Sequence, residues 1–117
     1  MSDNSEIIPL VNGKMLEKCV GRLVKFPCKV LQCCRNTAKV LSTDNLTVDI
    51  HFENEPDFEA PLVEIKGAVV SPTTIAMESF SYIADGPELE DINNIILILH
   101  DPMMLPLTYG SLGVSLL

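Results

Sequence analysis

The sequence predicts a mainly β fold with helices: a five-stranded Greek-key barrel, a short helix ahead of it and a C-terminal helix after it. Two patterns carry the prediction. Apolar and polar residues alternate in five stretches between Arg22 and Tyr82, the period of half-buried strands. From Glu88 to His100 the period changes: Leu89, Ile92, Ile96 and Leu99 recur at three- and four-residue spacing, which lines one side of a helix. Small barrels of this order close their sheet with no free edge. An α+β sandwich is the alternative packing of the same elements.

A chain of 117 residues is expected to form one domain. Residues 1–10 are short, polar and terminal, and read as a flexible N-terminus. Residues 11–105 read as the barrel domain, including a helix over 87–101. Residues 106–117 read as an apolar tail broken by Pro106, Gly110 and Gly113.

Asn12 is a candidate N-cap for a short helix over Lys14–Cys19, with Gly21 just past its end. From Arg22 the period is two. Val24, Phe26, Cys28 and Val30 alternate with Lys25, Pro27 and Lys29. This first strand is long, and Pro27 cannot donate to a ladder, so it is expected at an edge or a bulge. A long, bent first strand can serve both halves of a curled sheet. Arg35-Asn36 reads as a turn, Ala38–Thr43 as the second strand and Asp44-Asn45 as a tight turn. In the third strand Leu46, Val48, Ile50 and Phe52 face inward, with Thr47, Asp49 and His51 outward. Glu53–Pro61 is an acidic loop whose Phe58 is expected to tuck against the barrel. Leu62–Val70 is the fourth strand, with Val63, Ile65, Gly67 and Val69 inward; Gly67 implies a bend or a close backbone approach. Ser71-Pro72 is a turn and Thr73–Tyr82 the fifth strand. Asp85 or Gly86 is expected to cap the helix, with Pro87 near its first position and Pro102 blocking its continuation.

The net charge is −8, and its distribution is uneven. All the basic residues but Lys66 lie before residue 40, whereas most acids lie after it. A dedicated nucleic-acid binder needs a broad basic surface. This chain offers one local strip, Arg22, Lys25, Lys29, Arg35 and Lys39, expected to be a solvated face with weak single-stranded-DNA contact at most. Aromatics on which bases could stack are few: Phe58, Phe80, Tyr82 and Tyr109. The N-terminal stretch lacks the order of a signal peptide, and no apolar run has the length of a membrane span. The chain is therefore expected to be soluble and intracellular, and the Asn45-Leu46-Thr47 sequon a coincidence. The spacing of Cys19, Cys28, Cys33 and Cys34 provides no zinc site; they are expected to be buried or half-buried thiols.

Nucleophile-elbow, phosphate-loop, dinucleotide and zinc-protease patterns are all missing. Paired acids fall in an exposed loop and a first helical turn, not in environments that separate their pKa values. No catalytic residue, metal ligand or cofactor is expected. The feature in surplus is apolar surface on the last helix. Ile95, Leu97 and Ile98 fall off the main stripe, so the helix has apolar side chains for its own domain and for something else. Leu89, Ile92, Ile95, Ile96, Leu99 and Met103 are the candidate partner interface.

Three stretches resemble one family. Val11-Asn12-Gly13-Lys14-Met15-Leu16, Leu62-Val63-Glu64-Ile65-Lys66-Gly67, and Ile92-Asn93-Asn94 through Ile98-Leu99-His100-Asp101 are similar, in order and spacing, to the small-subunit family of replication protein A. The resemblance implies an OB-fold. It also implies a terminal helix that joins helices of a large and a middle subunit in a three-helix bundle. The small subunit would then be an assembly part of a heterotrimer, with single-stranded DNA gripped mainly by the partners. The implied setting is the nucleus, in DNA replication, repair and recombination. Ile92 replaces a common aromatic, and Leu97 falls where some relatives carry a charge. These departures point to the alternative of a telomere-specialised paralogue; a self-sufficient, weak DNA-binding module is the other.

Overall fold

A computed structural model describes residues 7–84 and 86–101. Its elements are a single 3-10 turn at Lys14–Lys18, strands β1 (Leu23–Cys33), β2 (Thr37–Ser42), β3 (Thr47–His51), β4 (Leu62–Ser71) and β5 (Thr74–Tyr82), and helix α1 (Leu89–Leu99). The strands close into a barrel in the order β1-β2-β3-β5-β4. The β3–β5 pair is parallel; the other pairs are antiparallel.

The length of β1 explains how five strands close. Leu23–Lys29 pair with β4, and Cys28–Cys33 pair with β2, so Cys28 and Lys29 belong to both ladders. Of the edge or bulge expected at Pro27, the bulge falls elsewhere, between Val30 and Gln32. Pro27 is buried opposite Glu64, in the part of β1 paired only with β4.

Alternation fills the barrel as the sequence predicts. Val24, Phe26, Val40, Ile50, Val63, Ile65 and Ile75 are fully buried. Leu46 departs from the pattern. Its backbone closes the β2–β3 turn, since Ser42 N donates to Leu46 O at 2.8 Å, and its side chain stays exposed. Gly67 is a close approach: a Cβ there would sit 2.2 Å from Ala76 O on β5.

Phe58 packs edge-on to Phe80 at 4.8 Å between centroids, and Phe80 packs in the same way on Tyr82 at 5.5 Å. The Tyr82 hydroxyl accepts from Glu59 N at 2.8 Å and donates to Asp57 O at 3.2 Å. The acidic loop is thereby fastened against the barrel, with Phe58 on the core.

The expected helix over Lys14–Cys19 is only a 3-10 turn, because so short a segment does not repay α-helix nucleation. Its Leu16 is fully buried. Its start is held from outside. The Asp44 carboxylate accepts from Gly13 N at 2.9 Å and Lys14 N at 3.0 Å, and also from the Ser42 hydroxyl. Asn12 Oδ1 accepts from Met15 N at 3.1 Å, the capping role its position predicts. Residues 9–10, expected within a flexible terminus, are bonded to the barrel. Lys25 N donates to Pro9 O at 2.8 Å, and Leu10 bridges Lys25 in parallel.

Helix α1 begins later than expected. Glu88 is its N-cap, and its N–H donates to Asp91 Oδ2 at 3.1 Å. Gly86, with φ of 122°, turns the chain before it, and Asp85 lies outside the described residues. Among the described residues no helix is long and apolar enough to cross a membrane.

Candidate partner interface

Three side chains set the roll of α1 on the barrel. Asn93 Oδ1 accepts from Asn12 Nδ2 and from the Thr43 hydroxyl, each at 2.9 Å. At the other end His100 Nε2 lies 2.8 Å from Leu10 O. A carbonyl only accepts, so Nε2 carries the proton. Residues 93, 96 and 100 share one face at helical spacing. That face is turned to the barrel, and Ile96 on it is fully buried, with Ile92 beside it nearly so.

Among the described residues, those on the opposite side are exposed. Ile95 is 52% exposed, Leu97 48%, Ile98 41% and Leu99 38%. Ile95, Ile98 and Leu99 are neighbours one turn apart, and Leu97 lies on the flank. Fully burying an Ile or Leu side chain is worth roughly 1.5–3 kcal/mol, so several half-exposed residues on one helix forgo a substantial sum. The Asn93 and His100 contacts fix which side faces outward, and the polar groups on that side, Asp91 and Asn94, sit at its N-terminal half.

This geometry places the residues of the sequence-derived interface on different faces. Ile92 and Ile96 are buried on the face docked by Asn93 and His100. Ile95 and Leu99 stand outward. Leu89 is half-buried, and Met103 lies outside the described residues. Leu97 and Ile98, left out of the expected set, belong to the outward face. Their position off the Leu89–Ile92–Ile96–Leu99 stripe was the available signal.

The basic strip is only partly assembled. Lys25 and Lys29 point outward from β1, with Lys25 opposite Lys66 of β4. Arg22 lies just before β1 and Arg35 in the β1–β2 turn. Lys39 on β2 is engaged by Asp49 of β3 at 2.9 Å. The free aromatics do not join this strip: Phe58, Phe80 and Tyr82 hold the acidic loop, and Tyr109 lies outside the described residues. Two thiols are not the buried groups expected: Cys28 is buried and Cys19 half-buried, but Cys33 and Cys34 are exposed.

A closed barrel of strand order 1-2-3-5-4, its first strand shared by both ladders, is an OB-fold, and α1 gives it an outward apolar arm. The chain belongs to the replication factor A protein 3 family, which it matches over residues 1–105.

Solved structures agree. A chain of Ustilago maydis replication protein A, in a complex bound to single-stranded DNA, is similar with a TM-score of 0.67 and 26% identity. The match covers 78% of this chain and 87% of that one. A chain of the Schizosaccharomyces pombe Stn1–Ten1 complex has a TM-score of 0.62 at 12% identity, covering 80% and 91%. The telomere capping protein Ten1 of S. pombe has a TM-score of 0.63 at 11% identity, covering 78% and 95%. At these last identities the likeness is one of fold. No curated protein sequence matches significantly.

Proposed function

We propose that this chain is a non-enzymatic assembly subunit of a heterotrimeric, replication protein A-like complex that binds single-stranded DNA. The observation that carries the reading is the outward stripe of Ile95, Ile98 and Leu99 on a helix whose other face is already docked. Such a stripe, flanked by Leu97, suits a bundle of helices, each burying its apolar face against the others. The occupants are one helix each from a large and a middle subunit, making a three-helix bundle. Single-stranded DNA is gripped mainly by those partners, in the nucleus, during replication, repair and recombination. Family membership supports the subunit role; the exposed stripe supports the mode of assembly.

A second reading places the chain in a telomere-associated complex of the same plan. Its support is the fold shared with Ten1, together with the uncharged Leu97. A third, a self-sufficient weak DNA-binding module, rests on Lys25, Lys29, Arg22 and Arg35 and predicts salt-sensitive binding by the isolated chain.

The test is affinity capture of the tagged chain from cells, comparing wild type with the double variant Ile98→Asp, Leu99→Asp. Captured OB-fold subunits that are lost with the variant, while its unfolding transition is unchanged, support the bundle. Equal capture by a folded variant refutes it. The captured partners also separate general replication from telomere maintenance.

A further inference from the structure

Cys33 and Cys34 are neighbours in sequence, both exposed, at the end of β1 where the hairpin to β2 turns. Gln32 Nε2 donates to Cys34 Sγ at 3.8 Å, and the Cys33 thiol points at the Cys34 carbonyl oxygen at 3.7 Å. A lone surface thiol can pair only with another molecule. Two adjacent ones can pair with each other, and nothing in the barrel's packing requires either.

We propose that Cys33 and Cys34 form a dithiol modification site, in which hydrogen peroxide closes the pair into an intrachain disulfide. The Cys34 thiolate attacks one peroxide oxygen and the O–O bond breaks. The departing hydroxide takes a proton and leaves as water, and Cys34 becomes a sulfenic acid. The Cys33 thiol then attacks that sulfur. An S–S bond forms, the S–O bond breaks, and the Cys33 proton leaves with the oxygen as a second water. Two thiols are oxidised by two electrons as one peroxide is reduced. The order of attack follows from the surroundings: burial, then the Glu55 carboxylate, then Cys34 itself raise the Cys33 thiol above its ordinary pKa, so Cys33 is the poorer first nucleophile.

The closed form is strained. Consecutive Cα atoms stand about 3.8 Å apart across a trans peptide. Disulfides usually span about 4.4–6.8 Å between Cα atoms, so this one is readily reduced again. The backbone that must yield is local. Cys34 N donates to Thr37 O at 2.7 Å, the bond that closes the β1–β2 turn. Thr37 begins β2 and pairs with His51 of β3, so closing the disulfide loosens one end of the β2–β3 surface and frees the turn that carries Arg35.

The experiment treats the full chain with hydrogen peroxide, alkylates the remaining thiols under denaturing conditions and maps the peptides. The expected product is a monomer lighter by two hydrogen atoms, with the disulfide in the peptide holding Cys33 and Cys34. Dithiothreitol reverses it, Cys33→Ser and Cys34→Ser each abolish it, and Cys19→Ser leaves it intact. Faster hydrogen exchange at the Cys34 amide accompanies oxidation. A disulfide-linked dimer in place of the monomer, sulfinic acid at Cys34 without a disulfide, or a disulfide surviving in Cys34→Ser overturns the proposal.

Discussion

Asn12 Nδ2 donates to Asn93 Oδ1 at 2.9 Å, joining residues 81 positions apart. Asn12 is almost fully buried, and its Oδ1 also accepts from Met15 N. One side chain thus caps the 3-10 turn and holds the terminal helix. Removing Asn93 takes the acceptor from two buried groups, Asn12 Nδ2 and the Thr43 hydroxyl, and removing Asn12 takes it from the half-buried Met15 N; a loss of this kind costs about 1–3 kcal/mol. Asn93→Ala and Asn12→Ala are each expected to lower the unfolding free energy by that order in urea titrations. The double variant should lose less than the sum, because the two share one bond.

Gly67 has no room for a side chain. The nearest atom to an added Cβ is the backbone carbonyl of Ala76, which cannot swing away as a side chain would. Gly67→Ala must push β4 and β5 apart where Gly67 pairs with Met77 and Ala68 with Ala76. Overpacking of this kind costs about 1–3 kcal/mol or more. Thermal unfolding should show a fall of several degrees. Gly86→Ala, with nothing near its Cβ position, is expected to lose less, and only through its positive φ.

The thiols should separate by reactivity. Burial pushes the Cys28 thiol well above its ordinary pKa, and Cys33 is raised by partial burial, Glu55 and Cys34. At mildly alkaline pH a small alkylating agent is expected to modify Cys34 first and Cys33 more slowly. Cys28 should react only when the protein unfolds, so its labelling rate in denaturant reports global opening.

The Lys39–Asp49 pair is a poor source of stability and a better regulator of surface charge. Both side chains are well exposed, and such pairs contribute roughly 0–1 kcal/mol. Asp49→Asn is expected to leave the unfolding midpoint nearly unchanged. It releases Lys39 on the β2–β3 surface, so any weak binding of single-stranded DNA by the isolated chain should tighten and become more salt-sensitive.

The strands were legible because alternation is a local signal. Val24 to Cys28, Val48 to Ile50 and Val63 to Val69 each point inward as their period requires, and Gly67 announced its close approach. What was illegible depended on distant partners. The Asp44 carboxylate reaches back over 31 positions to Gly13 N, and there a Cβ would stand 2.8 Å from Ser42 Oγ, which accounts for the glycine after Asn12. The roll of α1 was equally hidden. Leu89, Ile92, Ile96 and Leu99 make a credible stripe. The polar contacts of Asn93 and His100 rotate the helix so that Ile92 and Ile96 go inward and Leu99 outward. Exposure of Cys33 and Cys34 follows from where the β1–β2 hairpin ends, which residue type alone does not encode.

That roll makes its own prediction, because Ile96 and Ile98 have the same side chain on opposite sides of one helix. Ile96 is fully buried and Ile98 is 41% exposed. Ile96→Ala removes methyl groups from a filled space and should cost about 2–5 kcal/mol. Ile98→Ala removes a side chain that stays partly in solvent in the isolated chain and fills no closed space, so its cost should be well below that of Ile96→Ala, nearer the roughly 0.5 kcal/mol of surface changes. In the assembled complex the order should change. Ile98→Ala should weaken retention of partner subunits in co-purification, since that is where its burial occurs, while leaving the isolated chain's unfolding midpoint in place. If Ile98→Ala destabilises the isolated chain as much as Ile96→Ala does, the outer stripe is already covered within the chain, and the bundle has no surface to use.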